Sequence, residues 1–204
     1  PASASNALWH PLCPAELAPF YPGTNNMVGY MDTVMGRLLE RIDSLGLGER
    51  TLVLFYSDNG TPQGIESRLG DRVVRGGKGL PTDAGTRVPL IARWTGTARA
   101  GLVTDELVDS TDFLPTMADA AGIRLPAKPV IDGLSFLPHL RGERRRRREW
   151  VYCHHDPRPG WDKKQYRLVR FARDQRYKLY DDGRLYDIPA DPLEEKPLGA
   201  GEDQ

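Results

Sequence analysis

Hydrophobic residues recur every three or four positions from Thr24 onward, and threonine is a common residue at the start of a helix. The repeated positions are Met27, Met31, Val34, Leu38, Ile42 and Leu45. This spacing predicts an amphipathic helix that ends at Gly46 and Gly48. Residues 1–23 are rich in proline, alanine and serine and have no clear period, so we expect an irregular lead-in there.

A different pattern follows, because residues 51–56 are almost entirely apolar and lead directly into Ser57-Asp58-Asn59-Gly60. A short apolar run of this kind predicts a strand buried on both faces, as in parallel sheets. A helix, a turn and a buried strand in succession favour an α/β sheet. Residues 88–94 predict a second strand, which Pro89 places near an edge or at a strand start.

The segment between these strands, residues 61–86, is rich in glycine and has neither a helical nor a strand period. We expect a long loop there, and loops of this length inside domains are usually functional or disordered. Beyond the second strand, residues 111–121 predict a helix that ends at Gly122. A proline-rich connection over residues 125–140 follows it.

The last third of the chain predicts four short, aromatic-rich strands separated by turns, at residues 150–152, 166–171, 176–180 and 184–186. They indicate a small antiparallel sheet with a loose tail after Asp191. We therefore predict an α/β fold in three parts. The parts are the lead-in at 1–23, an α/β domain over 24–140 and a small antiparallel β subdomain over 141–204.

Composition narrows the class of protein without naming a function. The 204 residues are 39% hydrophobic and 27% charged with zero formal net charge, which is typical of globular proteins and gives no reason to expect nucleic acid or a membrane as a partner. No apolar stretch reaches the length of a membrane span, and no signal peptide opens the printed sequence. The compartment stays open between periplasmic or secreted and cytoplasmic, since Cys13 and Cys153 are far apart and form no metal or redox spacing.

Two charged segments are candidate binding sites. The arginine run at 144–148 could contact a polyanion, but without interleaved aromatic residues it is better interpreted as a solvated linker. His154-His155-Asp156 has the composition of a metal cluster, but neighbours on a strand point to opposite faces, so a surface turn beside Pro157 is the better interpretation.

Candidate chemistry lies at the end of the first apolar strand. Asp58 and Asn59 offer hard oxygen atoms suited to Ca²⁺ or Mg²⁺, although Asp-Asn-Gly is also good turn chemistry. Further along, Lys78 stands within Arg75-Gly76-Gly77-Lys78-Gly79, where glycines let the backbone approach a ligand closely. This run is not a phosphate-binding Walker loop, because Arg72 and Gly79 occupy positions that the Walker motif reserves for other residues.

Several short motifs, in their order and spacing, resemble the sulfatase family. They are residues 30–39, Ser57-Asp58-Asn59-Gly60, Gly76-Gly77-Lys78-Gly79, residues 85–91, 108–116 and 132–135, Arg176-Tyr177-Lys178-Leu179-Tyr180 and residues 185–192. The resemblance covers about residues 25–198. It implies an alkaline-phosphatase-like α/β fold with a small C-terminal antiparallel subdomain, and hydrolysis of a small-molecule sulfate ester.

The same resemblance assigns roles to individual residues. Asp58 and Asn59 would bind an active-site divalent cation, most often Ca²⁺ in this family with Mg²⁺ as an alternative. Lys78 would contact the sulfate. His10, in His10-Pro11, could correspond to a pocket histidine of the family that contacts substrate.

One departure from the family pattern limits these expectations. Sulfatases carry a formylglycine nucleophile in a Cys/Ser-x-Pro-x-Arg motif, and neither Cys13 nor Cys153 lies in such a motif. The tandem aspartates that complete the metal site are also missing. We therefore expect a C-terminal half whose partner is the N-terminal half with the formylglycine, and little turnover by this chain alone. A phosphonate or phosphodiester hydrolase of the same superfamily and a non-catalytic binding module are the alternatives.

Overall fold

The computed structural model describes residues 24–69, 71–143, 148–158, 160–164 and 167–199. The predicted lead-in, including the candidate His10, lies outside these residues. The helices are α1 (Thr24–Ser44), α2 (Asp83–Thr86), α3 (Phe113–Ala120) and α4 (Leu137–Leu140), with 3-10 turns at Gly48–Arg50 and Ser110–Asp112. The strands are β1 (Val53–Tyr56), β2 (Glu66–Leu69), β3 (Arg72–Arg75), β4 (Leu90–Arg93), β5 (Val151–His155), β6 (Val169–Arg173), β7 (Tyr177–Tyr180) and β8 (Leu185–Asp187).

Helix α1 confirms the expectation from the hydrophobic period. It ends in a Schellman motif, in which the N–H groups of Gly46 and Leu47 donate to the carbonyl oxygens of Asp43 and Ile42, and Gly46 takes the left-handed conformation with φ 65°. Asp43 in the last turn accepts two hydrogen bonds of 2.8 Å from Arg93 on β4. In the parts of the chain that the structure covers, no helix combines the length and apolar character that a membrane crossing requires.

The first apolar strand forms as predicted, but its surroundings differ from the prediction. β1 pairs with β4 in antiparallel register, from Val53 opposite Arg93 to Tyr56 opposite Leu90. Within the described residues these two strands form a sheet of their own, and no β1 residue is fully buried. The prediction of a parallel strand buried on both faces was therefore wrong. Apolar composition shows that a strand is suited to burial, but the direction and number of its neighbours depend on distant segments.

The prediction of a structureless loop over 61–86 was also wrong. β2 and β3 form an antiparallel hairpin with Glu66 opposite Arg75, and these side chains form an ion pair of 2.8 Å. Helix α2 follows the glycine-rich segment. The hairpin escaped the sequence analysis because neither Glu66-Ser67-Arg68-Leu69 nor Arg72-Val73-Val74-Arg75 alternates between apolar and polar residues, so no strand period marks it.

The small antiparallel sheet at the C-terminal end is confirmed. Strands β5 to β8 lie in sequence order, and all neighbours are antiparallel. Its core consists of Phe171, Tyr180, Tyr186 and Ile188, with Cys153 and Val169 packed against them. His154 and His155 lie on β5 and not in the predicted turn.

The segment after Asp191 is ordered within the described residues, contrary to the prediction of a loose tail. Glu194 is buried, and the N–H of Leu198 donates to the carbonyl oxygen of Leu185 at 2.8 Å. A polar composition suggested solvent exposure, but the carboxylate of Glu194 is buried because cationic and hydroxyl groups surround it.

Of the arginine run at 144–148, the structure describes only Arg148. At this residue the interpretation as a solvated linker was wrong. Arg148 forms an ion pair with Asp112 at the start of α3, and the two side chains are 13% and 2% exposed. The hydrogen bond to Asp112, opposed by burial, raises the pKa of Arg148 above its ordinary value. The helix predicted over 111–121 is confirmed as the 3-10 turn at Ser110–Asp112 followed by α3.

Candidate functional site

Asp58 and Asn59 follow β1 in a bend, with the Asp58 side chain exposed and Asn59 half-buried. The Ser57 hydroxyl donates to the carbonyl oxygen of Asn59 at 2.9 Å, which stabilises the bend. The chain therefore bends at Asp58 and Asn59, and the hydroxyl that holds this bend belongs to Ser57. The bend does not conflict with cation binding, because it leaves the Asp58 carboxylate accessible to solvent.

Lys78 lies in the next loop, and its backbone is held against the segment that follows Gly60. The Lys78 N–H donates to the carbonyl oxygen of Thr61 at 2.9 Å. The Gln63 side-chain amide donates to the carbonyl oxygen of Lys78 at 3.0 Å. The structure thus brings the two motifs singled out in the sequence side by side, with the Lys78 side chain exposed.

Glycines make this close approach possible. A β-carbon on Gly60 would lie 1.9 Å from the carbonyl oxygen of Ala84, and one on Gly85 would lie 2.2 Å from that of Leu80. A β-carbon on Gly76 would meet the carbonyl oxygen of Pro62 at 2.1 Å. The Gly60 N–H also donates to the carbonyl oxygen of Gly85 at 2.9 Å. Three loop segments therefore meet backbone against backbone, a packing that no larger residue permits at these positions.

The side chains at the end of β1 carry oxygen donors of the type that hard divalent cations prefer. Asp58 and Asn59 supply a carboxylate and a carboxamide oxygen, and Ca²⁺ takes about 6–8 oxygen ligands. Among the residues that the structure describes, no group of three or more His, Cys, Asp or Glu side chains could hold a metal ion. Two oxygen donors fall short of such a shell, so a cation site at this position would need further ligands.

Sequence reasoning did not predict the contacts behind the Lys78 loop. The ring atom Nε2 of His155 lies 3.2 Å from the carbonyl oxygen of Gly79. Below the loop lies a charged cluster of low exposure, which we name the buried charge cluster. Its members are Asp83, Arg173, Lys178, Tyr180 and Glu194. Burial, together with the hydrogen bond to Glu194, raises the pKa of the Tyr180 hydroxyl well above its ordinary value.

Comparison with known proteins identifies the family. A family model described as Sulfatase matches residues 3–123, more than half of the chain. The chain belongs to the sulfatase family. A second model, described as N-sulphoglucosamine sulphohydrolase, C-terminal, matches residues 78–202 of this sulfatase chain. The family resemblance carried by the sequence motifs is confirmed.

Individual relatives agree. Mouse steryl-sulfatase is 41% identical over 122 residues, which are 57% of this chain and 20% of the relative. Human arylsulfatase A is 42% identical over 113 residues, which are 55% of this chain and 22% of the relative. The match therefore spans about a fifth of these curated relatives.

Solved structures support the expected fold. The PsFucS1 sulfatase from Pseudoalteromonas sp. superposes with a TM-score of 0.64 at 26% identity, covering 91% of this chain and 40% of that chain. The structure of BT4656, described as in complex with its substrate D-glucosamine-2-N,6-O-disulfate, superposes with a TM-score of 0.62 at 25% identity. The superposition covers 83% of this chain and 34% of that chain. The expected fold, a partial alkaline-phosphatase-like α/β domain with a small β subdomain, is confirmed.

Proposed function

We propose that this sulfatase-family chain is part of a hydrolase of small-molecule sulfate esters. In this proposal Asp58 and Asn59 supply two oxygen ligands to a divalent cation, and Lys78 contacts the sulfate. The favoured cation is Ca²⁺, with Mg²⁺ as the alternative. The observation that carries the proposal is the hydrogen bond from the Lys78 N–H to the carbonyl oxygen of Thr61, because it places the lysine loop directly beside the strand end. The printed names of the relatives, steryl-sulfatase and arylsulfatase A, support the reaction class.

Charge explains why these residue types suit the reaction. A sulfate ester is anionic, and cleavage of its S–O bond builds negative charge on the departing alkoxide. A bound cation supplies electrostatic neutralisation of the sulfuryl oxygens. The Lys78 ammonium, exposed on a loop whose backbone is fixed, can donate hydrogen bonds to the sulfate and to the leaving oxygen. Asp58 keeps the local charge balanced when the cation is bound.

The nucleophile must come from elsewhere in this proposal, since the 204 residues contain no Cys/Ser-x-Pro-x-Arg motif. We infer that a further part of the protein supplies the formylglycine and the remaining cation ligands. The chain spans about a third of the sulfatase chains on which it superposes, 34% to 40% for the two described above, which supports this inference. Alone, the chain is expected to show little or no turnover, and detectable hydrolysis of an aryl sulfate by it would contradict this inference.

Calcium titration tests the cation ligands directly. The wild-type chain is expected to bind Ca²⁺ weakly, with a Kd of about 1 mM, because an incomplete shell resembles the weakest natural calcium sites. Asp58→Ala is expected to bind at least about tenfold more weakly. Asp105→Ala is the matched control, since it removes an exposed carboxylate outside the site and should leave binding unchanged. Measurable Ca²⁺ binding that is equally strong in the wild-type chain and in Asp58→Ala would refute the assignment.

Activity measurements on the whole protein test the role of Lys78. Sequencing the reading frame upstream of Pro1 is expected to identify a Cys/Ser-x-Pro-x-Arg motif, and the protein that contains it can then be assayed. Lys78→Ala is expected to lower kcat on an aryl sulfate by about 10²–10³-fold, as for other transition-state charge contacts. A larger rate on an aryl phosphodiester would favour the phosphodiesterase alternative. Full activity in Lys78→Ala would contradict the role of this lysine.

A further inference from the structure

Lys178 is the most deeply buried charged residue among those that the structure describes, with no exposed surface. Its ammonium donates to Glu194 Oε1 at 2.9 Å and to the carbonyl oxygen of Pro81 at 2.7 Å. Asp83 Oδ1 lies 3.4 Å from the same nitrogen. The aromatic rings of Phe171 and Tyr180 cover it, with ring centroids at 4.0 and 5.2 Å. The three polar partners of this ammonium therefore belong either to the loop segment 81–83 or to Glu194.

Glu194 completes the same arrangement from the C-terminal tail. Its carboxylate accepts the hydroxyl of Tyr180 on one oxygen and, on the other, the Asp83 N–H at 2.7 Å together with Lys178. Its backbone has φ 57°, a left-handed conformation that residues other than glycine rarely adopt. A strained backbone persists where surrounding contacts determine it, which indicates that the carboxylate is held in this place by its partners.

Contacts from the buried charge cluster and from His155 on β5 converge on one short stretch of chain, residues 79–83. The Lys178 ammonium and the Tyr180 hydroxyl donate to the carbonyl oxygen of Pro81, and the Asp83 N–H donates to Glu194. The His155 ring nitrogen lies within hydrogen-bond distance of the carbonyl oxygen of Gly79. Asp83 is also bound by Arg173 of β6 at 2.8 Å. This stretch begins one residue after Lys78. The loop that carries Lys78 is therefore fixed from two sides, by Thr61 and Gln63 in front and by the C-terminal sheet and tail behind.

A buried ion pair is a poor means of adding stability, since well-packed apolar residues of similar volume often stabilise as much or more. What such a cluster supplies is a defined geometry, because each hydrogen bond specifies a direction. We propose that Lys178 and Glu194 are positioning residues that hold the 79–83 segment, and with it the backbone from which Lys78 projects, in a single conformation. The catalytic meaning of this inference rests on the proposed sulfate contact of Lys78.

Amide hydrogen exchange and amide NMR spectra of the 204-residue chain test the inference. In Glu194→Gln and Lys178→Met, exchange at residues 78–83 is expected to rise about tenfold or more, with shifted or broadened amide resonances of Lys78 and Gly79. Exchange in the core of β6 and β7 is expected to change much less. Asp182→Asn is the matched control, because this carboxylate lies on the exposed turn between β7 and β8 and should leave the loop unchanged. Unchanged loop exchange in the folded cluster variants would overturn the inference.

A milder variant covers the case in which these substitutions prevent folding. Tyr180→Phe removes one hydrogen bond to Glu194 and keeps the aromatic packing, and it is expected to raise exchange at 78–83 about threefold with intact strands. If the loop and the strands lose protection by the same factor in every variant that folds, the cluster merely stabilises the fold, and the inference is wrong.

Titration with inorganic sulfate, followed by the amide resonances of Lys78 and Gly79, separates this inference from the proposed function. Sulfate binding that weakens about threefold or more in Tyr180→Phe or Glu194→Gln, but not in Asp182→Asn, supports the inference. Sulfate binding that is the same in the wild-type chain and in Lys78→Ala would overturn the sulfate role of Lys78. Loop exchange that still rises in the cluster variants would then sustain the positioning role on its own.

Discussion

Substitution of Gly60 by alanine tests whether backbone packing builds the candidate site. The new β-carbon would lie 1.9 Å from the carbonyl oxygen of Ala84, about 1.5 Å short of ordinary van der Waals contact. Its neighbour is backbone, so no side-chain rotation can relieve the overlap. Either the β1 end or the start of α2 must move by about that distance. Overpacking of this kind costs about 1–3 kcal/mol.

Thermal unfolding measures the loss of stability in Gly60→Ala, and calcium titration measures the change in cation binding. For a chain of this length, a loss of 1–3 kcal/mol lowers Tm by about 2–12 °C. Because the displaced backbone carries Asp58 and Asn59, Ca²⁺ binding is expected to weaken along with stability. Gly36→Ala is the matched control, since it makes the same chemical change in α1 with nothing within 4 Å of the added carbon. Alanine favours the helix there by about 0.5–1 kcal/mol, so Tm should rise slightly.

Two outcomes would contradict the role of the close contact at Gly60. If the Tm of Gly60→Ala lies less than about 2 °C below that of the wild-type chain, the smallest loss expected, and Ca²⁺ binds equally well, the contact between Gly60 and Ala84 does not shape the site. If Gly36→Ala is destabilised as much as Gly60→Ala, the loss reflects glycine replacement in general and not the close approach of the two loops.

Two further predictions follow from buried polar groups. Because the pKa of Tyr180 is raised in the folded state, its contribution to the free energy of unfolding is intact at neutral pH and is lost as pH rises above about 10, where the unfolded tyrosine ionises. Denaturant unfolding between pH 8 and 11 should therefore show a steeper loss of stability in the wild-type chain than in Tyr180→Phe, and parallel curves would contradict this. Arg148→Ala leaves the Asp112 carboxylate buried with only backbone donors, so we expect a loss of about 3 kcal/mol by denaturant unfolding. Arg75→Ala removes an exposed pair and should cost less than about 1 kcal/mol, and a similar loss in both variants would show that burial of Asp112 is not the cause.

Sequence patterns were sufficient to predict those elements whose residues carry a strong local period. Helix α1 was predicted because its apolar positions repeat at helical spacing and glycines end it. The four C-terminal strands were predicted because each is short, aromatic and bounded by turns. The motifs around Asp58 and Lys78 were also visible as residue types in order, and their roles as cation ligands and sulfate contact stay predictions.

The features that depend on residues distant in sequence became visible only in the three-dimensional structure. It showed that β1 runs antiparallel to β4 and that Lys78 lies beside Thr61. It also showed that Glu194, in a polar tail, is buried against Lys178. No local period marks such contacts, because a charged residue has the same sequence signature whether it faces water or an opposite charge. The physical reason is that burial of a charge depends on the partners that the fold brings to it, whereas helix and strand periods depend on neighbours along the chain.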